Sequence, residues 1–122
     1  MDQAQREQFR RQLLQRQRDL EAIRASADEA AAVVTLDQSR VGRLSRMDAL
    51  QGQAMAQATR RRRAIELGRI EAALARLDSD EWGCCDDCGE PIALARLQLD
   101  PTHTQCVNCA EAREQAGPAT NR

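Results

Sequence analysis

A chain of 122 residues with one Phe, one Trp and no Tyr lacks the large side chains that fill a globular core of ordinary size. Hydrophobic residues make up 42%, but alanine supplies much of that, and with Leu, Arg, Glu and Gln it gives the composition of long helices. The formal charge of −1 hides an asymmetry: residues 1–79 carry 15 Arg against 11 acids, a net of +4, whereas residues 80–114 carry two Arg against eight acids, a net of −6.

No stretch approaches the roughly 18 apolar residues of a membrane span. The first residues, MDQAQREQFRRQ, lack the apolar core of a secretory signal. The expectation is a cytoplasmic protein with no membrane partner. In that compartment paired cysteines point to metal ligation rather than disulfides.

Residues 2–34 read as one helix. Phe9, Leu13, Arg16, Leu20, Ile23, Ala27, Ala30 and Val34 step alternately by four and three, a heptad seam holding one Arg. Residues 43–79 read as a second helix. Its seam is Leu67, Ile70, Leu74 and Leu77, with a looser run through Leu44, Met47, Leu50 or Gln51, Ala54 and Ala58. Gly52 and Gly68 each weaken that helix by about 1 kcal/mol against Ala. DSDEWG, residues 78–83, ends it.

A helix with one apolar stripe must bury that stripe. Two of similar length joined near VVTLDQSRVG, residues 33–42, do so as an antiparallel hairpin. Arms of some 33 residues at ~1.5 Å per residue give a rod of about 50 Å. Such a hairpin predicts a monomer; a dimeric coiled coil or a compact bundle is the alternative. The domain reading is a coiled-coil hairpin over 1–79 with its tip near 34–48, a cysteine module with a short C-terminal helix over 80–114, and a disordered tail over 115–122.

The cysteine module carries the chemistry. Cys85 and Cys88 enclose two residues, as do Cys106 and Cys109, and 17 residues separate the pairs. That is the spacing of four-cysteine zinc sites, because a two-residue gap lets both sulfurs of a knuckle reach one ion at about 2.3 Å. Gly89 stands where the first knuckle needs a tight turn. Four thiolates close a tetrahedron around one structural Zn²⁺, which replaces a core that thirty such residues cannot build. Cys84 is surplus. Pairing it with Cys88 leaves a three-residue gap, which zinc sites also permit, but the symmetric spacing favours Cys85. Cys84 then reads as an inert thiol, with a redox role as the alternative. His103, three residues before Cys106, reads as a surface residue. With no partner pair for His103, no Gly-rich phosphate loop and no open metal position, the chain is not expected to be an enzyme.

The stretch WGCCDDCGEPIALARLQLDPTHTQCVNC resembles the DksA/TraR family of C4-type zinc-finger regulators. The residues that carry the likeness are Trp82, Gly83, Cys85, Cys88, Gly89, Ile92, Arg96, Leu97, Pro101, Cys106 and Cys109. TLDQSRVGRLSRMDALQ, residues 35–51, is similar to the turn region of short members. The fold class is thus mainly α: a long antiparallel helical hairpin with a small C-terminal zinc finger. The resemblance implies a regulator that binds RNA polymerase and inserts its coiled-coil tip into the secondary channel to modulate initiation. It also implies tip contacts to the polymerase active centre. Asp48 followed by Ala49 resembles part of the family's Asp-x-x-Asp-x-Ala signature, although Ser45 stands three before Asp48. Asp37 is the other acid in reach. The alternative for either Asp is a helix cap or a solvated turn residue.

Members that respond to ppGpp carry basic residues where this chain has Asp100 and Ala110, while Arg69 and Arg96 are retained. Weak or absent ppGpp dependence is therefore expected. RRRR, residues 60–63, is a solvated helix flank or a contact to acidic polymerase surfaces or RNA. Two other functions stay open: direct DNA binding through the finger, and a coiled-coil adaptor with no transcriptional role. Against sequence-specific DNA binding, Asp86, Asp87 and Glu90 surround the first knuckle and would repel phosphates.

Overall fold

The computed structural model describes residues 2–41 and 46–116, with side chains for 2–30 and 46–116. Four helices follow one another in it: α1 (Gln3–Val41), α2 (Arg46–Asp78), α3 (Leu94–Leu99) and α4 (Val107–Ala116). Among the described residues, no helix is long and apolar enough to cross a membrane.

A reciprocal cap starts α1. The Gln5 amide donates to Asp2 Oδ1 at 2.8 Å, while Asp2's own amide donates to Gln5 Oε1 at 3.1 Å. Two otherwise unpaired amides are satisfied by one pair of side chains. The helix runs seven residues past the expected end at 34 and occupies most of the stretch expected to turn. Thr35, Asp37 and Ser39 suggest a turn, but each costs a helix only a few tenths of a kcal/mol, and no Gly or Pro intervenes before Gly42. The connecting residues 42–45, which include Leu44, lie outside the described residues. So do the side chains of Val34 and Asp37.

At its other end α2 closes with backbone bonds from Glu81 N and Trp82 N to the Arg76 carbonyl at 2.9 and 3.2 Å. The chain reverses at Asp80, whose φ of 62° is left-handed. This is the helix-stop geometry that glycine usually supplies.

The chain divides into two compact units, Met1–Leu13 with Glu71–Arg122, and Leu14–Ile70. In the first, Phe9, Leu13, Ala73, Leu77, Trp82, Ile92 and Leu97 are buried together with Cys85. The rings of Phe9 and Trp82 lie 4.9 Å apart at 47°, and Trp82 Nε1 donates to the Pro101 carbonyl at 2.9 Å. Arg6 donates to the Leu77 carbonyl at 3.0 Å and pairs with Asp80 at 2.7 Å. Arg10 pairs with Asp78 at 2.6 Å. The first turns of α1 therefore lie beside the last turn of α2, as in an antiparallel pair.

The expected seam needs one correction in this unit. Ala73 is buried and Leu74 only half-buried. Ala73 and Leu74 lie on either side of the line through Ile70 and Leu77, and the covered stripe of a packed helix is wider than a heptad line and reaches Ala73.

In the second unit Leu20, Leu67 and Ile70 are buried. Arg16, the one charged member of the expected seam, lies at the surface and grips Glu66 with two hydrogen bonds of 2.8 and 3.1 Å. The rest of the expected seam is thinner than its periodicity suggests. Ala27 and Ala58 are half-buried, whereas Ile23, Ala30, Met47, Leu50, Gln51 and Ala54 are exposed. Alanine seams offer little area to bury, so high helix propensity carries these segments.

Gln115 and Ala116, expected to begin the tail over 115–122, belong to α4. Residues 117–122 lie outside the described residues.

Candidate metal centre

The first knuckle is a small backbone loop. The Cys85 amide donates to the Glu90 carbonyl at 2.8 Å, Gly89 N returns to the Cys85 carbonyl at 2.9 Å, and Ile92 N reaches the Gly83 carbonyl at 2.8 Å. Cys84 and Pro91 form an antiparallel bridge across its base. The turn requires φ of 77° at Gly89 and 90° at Gly83, a region that side chains with a Cβ disfavour.

The second knuckle straddles the start of α4. Cys106 precedes the helix and Cys109 sits in its first turn, where its amide donates to Cys106 Sγ at 3.5 Å. A backbone bond from Asp86 N to the Thr104 carbonyl, 2.8 Å, joins the two knuckles.

The sulfurs of Cys85, Cys88, Cys106 and Cys109 all lie within 4.8 Å of one another, and those of Cys88 and Cys106 are 3.8 Å apart. Four sulfurs at about 2.3 Å from a tetrahedral ion would stand about 3.8 Å apart. Cys85 is buried, Cys106 and Cys109 are half-buried and Cys88 is exposed. Backbone amides, first that of Cys106 and then those of Cys88 and Asp87, lower the Cys85 thiol to about 6. The Cys106 and Cys85 sulfurs push the Cys109 thiol up. At Cys88 the Glu90 amide and the Cys109 sulfur pull downward, but desolvation of the thiol and the Cys85 and Cys106 sulfurs outweigh them and the net shift is upward. One sulfur is thus primed as a thiolate among close neighbours that would repel further charge. A divalent cation relieves that repulsion, and the donor set fits one structural Zn²⁺ with no position left open.

Among the described residues this quartet excludes Cys84 and His103. Cys84 is exposed, and its carbonyl accepts from Arg76 Nη2 at 3.0 Å. It opens onto a cleft of about 400 Å³ lined by Gln5, Arg6, Trp82 and Leu94 among others. His103 is half-buried, and its amide donates to the Asp100 carbonyl at 3.2 Å.

The remaining site residues fall elsewhere. Asp48 lies exposed in the first turn of α2, where a carboxylate complements the helix dipole, and Ala49 beside it is half-buried. Asp37 belongs to α1 by its backbone. Arg69 is exposed, and Arg96 is committed to the Gln105 carbonyl at 2.8 Å. Asp100 accepts from the Thr102 amide and hydroxyl at 3.0 and 2.7 Å, closing a local turn. Arg60, Arg61 and Arg62 are exposed and Arg63 half-buried.

Spacing alone did not point to Arg76. Its guanidinium binds Asp86 and the carbonyls of Glu81 and Cys84. Nor did it point to α3, six residues that bury Leu97. A basic residue in the last turn before DSDEWG was the one available signal for Arg76.

Residues 81–115 match the model of the prokaryotic dksA/traR C4-type zinc finger. A Haemophilus influenzae protein named RNA polymerase-binding transcription factor DksA is 48% identical over 50 residues, which span 38% of this chain and 34% of that protein. A Caulobacter vibrioides protein of the same name is 29% identical over 115 residues, 94% of this chain and 80% of the relative. The solved structure of transcription factor DksA2 from Pseudomonas aeruginosa superposes with a TM-score of 0.78 at 30% identity, covering 93% of this chain and 86% of that one.

Proposed function

The chain belongs to the DksA/TraR family, and from that premise we propose that it is a bacterial transcription regulator that binds RNA polymerase in the cytoplasm. The supporting observation is the likeness to DksA2 over 93% of the chain, which includes both long helices as well as the finger. On this reading the helical hairpin enters the secondary channel and its tip modulates initiation. Asp48 and Ala49, with Asp37, would be the residues that approach the polymerase active centre. An exposed carboxylate in the first turn of a helix suits that role, because its charge stands at the surface where a basic or metal-bound group can approach it.

Cys85, Cys88, Cys106 and Cys109 would hold the zinc. When bound, the ion supplies a structural cross-link and no Lewis-acid position. The protein is then a regulator rather than an enzyme, and it acts as a monomer. Dependence on ppGpp is weak on this reading, since Asp100 is acidic and turned into its own loop while Arg96 is already occupied.

Pull-down with core polymerase followed by transcription in vitro tests the proposal. The parent chain should be recovered with the enzyme and change initiation. Asp48→Asn should still be recovered yet lose the effect. Unchanged transcription by Asp48→Asn would refute the tip assignment, and failure of the parent to bind would refute the polymerase reading. Direct DNA binding predicts instead a salt-sensitive gel shift without polymerase.

A further inference from the structure

The two residues enclosed by the first knuckle are committed in opposite directions. Asp86 Oδ1 accepts from Arg76 Nη1 at 2.5 Å. Arg76 stands in the last turn of α2 with a side chain only 17% exposed, and it also holds the carbonyls of Glu81 at 3.3 Å and Cys84 at 3.0 Å. Asp87 turns the other way. Its Oδ2 accepts from Gln105 Nε2 at 2.7 Å, and its Oδ1 faces Arg113 Nη2 at 3.3 Å. Gln105 immediately precedes Cys106, and Arg113 lies on α4 four residues after Cys109. Gln105 is held a second time, by Arg96 on its carbonyl.

The charges make this arrangement informative. Four thiolates around one divalent ion carry a net charge of −2. Carboxylates beside the ligands oppose that charge, so electrostatics alone would favour a knuckle without them. Asp86 and Asp87 nevertheless occupy both positions between the ligands, each with a cationic partner from another element. Glu90, the third acid beside the knuckle, is exposed and has no side-chain hydrogen bond or ion pair with the described residues.

We propose that Asp86 and Asp87 are positioning residues for the metal: Asp87 sets the separation of the two knuckles through Gln105 and Arg113, and Asp86 moors the first knuckle to the end of α2 through Arg76. Zinc loading and the closing turn of α2 are thereby linked. The proposal rests on the four-cysteine zinc assignment and is independent of polymerase binding.

The test is zinc affinity of the full chain, measured by competition with a chromogenic chelator. Loss of an outer-sphere partner typically weakens metal binding about 10–100-fold. Asp87→Ala should weaken binding about tenfold or more on that scale. Asp87→Asn keeps an oxygen for Gln105 but not the charge for Arg113, and should fall between that variant and the parent. Glu90→Ala should bind as tightly as the parent or tighter. Arg76→Ala should weaken zinc binding and speed hydrogen exchange at the Glu81 and Trp82 amides with zinc bound. Equal or tighter binding by both Asp87 variants would overturn the proposal, because that is the result charge alone predicts. A parent that binds no zinc would overturn the proposal together with the metal assignment. Asp87→Asn, which preserves shape, keeps the test decisive if Asp87→Ala fails to fold.

Discussion

Each of the two units is held together internally by different means. Around the cysteines, an aromatic pair, a buried Leu and Ile cluster, three Arg side chains and four convergent sulfurs each fix a particular geometry. Among the described residues of Leu14–Ile70, the buried Leu20, Leu67 and Ile70 and the surface pair of Arg16 with Glu66 link α1 to α2. The first unit depends on specific tertiary contacts, whereas the second depends on helix propensity and a narrow seam. Substitutions should therefore be costly in one and mostly tolerated in the other.

The largest effect expected is from removing the metal. A strong chelator should abolish the dispersed amide signals of residues 84–110, while the helices of Leu14–Ile70 keep most of their far-ultraviolet dichroism. Retention of the finger's signals without metal would remove the contrast. Acid should act like the chelator, since the ligands must be thiolates.

Next comes the aromatic contact. Phe9→Ala should destabilise the chain by about 3–5 kcal/mol in urea unfolding, the usual cost of emptying a buried Phe site. Trp82→Phe removes the bond to the Pro101 carbonyl and should cost about 1–3 kcal/mol, because that acceptor loses its partner.

Within the second unit, Leu20→Ala should cost about 2–4 kcal/mol, whereas Met55→Ala should stay within about 0.5 kcal/mol of the parent. Met55 is 73% exposed, so a large loss there would mean that the seam extends further along α2. The smallest effect belongs to Arg16→Ala. An exposed pair is worth about 0.2–1 kcal/mol, and the loss should shrink as salt is raised.

These contrasts also bear on what could be read without a structure. The spacing of Cys85, Cys88, Cys106 and Cys109 picked out four sulfurs that lie together, because a knuckle is a local object with a fixed gap. The two long helices were legible because Leu and Ile recur at helical intervals. The end of α1 was not, since Thr35, Asp37 and Ser39 favour turns only weakly when neither Gly nor Pro enforces one. The burial of Ala73 beside a half-buried Leu74 was not legible either, because a heptad count draws a line where packing covers a wider stripe. The Arg76 and Asp87 contacts were hidden for another reason. Asp86 and Asp87 read as bare charge until their partners from α2 and α4 are brought beside them.

Asp80 gives the junction an unusual dependence. A glycine would adopt its left-handed backbone freely, whereas an L-residue with a side chain costs about 1–2 kcal/mol there, somewhat less for Asp. Its carboxylate is met by Arg6, close to the opposite end of the sequence. The direction in which the polypeptide leaves its second long helix is thus conditional on the opening turns of the first. Trimming those turns past Arg6 would loosen a bend more than seventy residues downstream, and Asp80→Gly should make the truncated chain more forgiving.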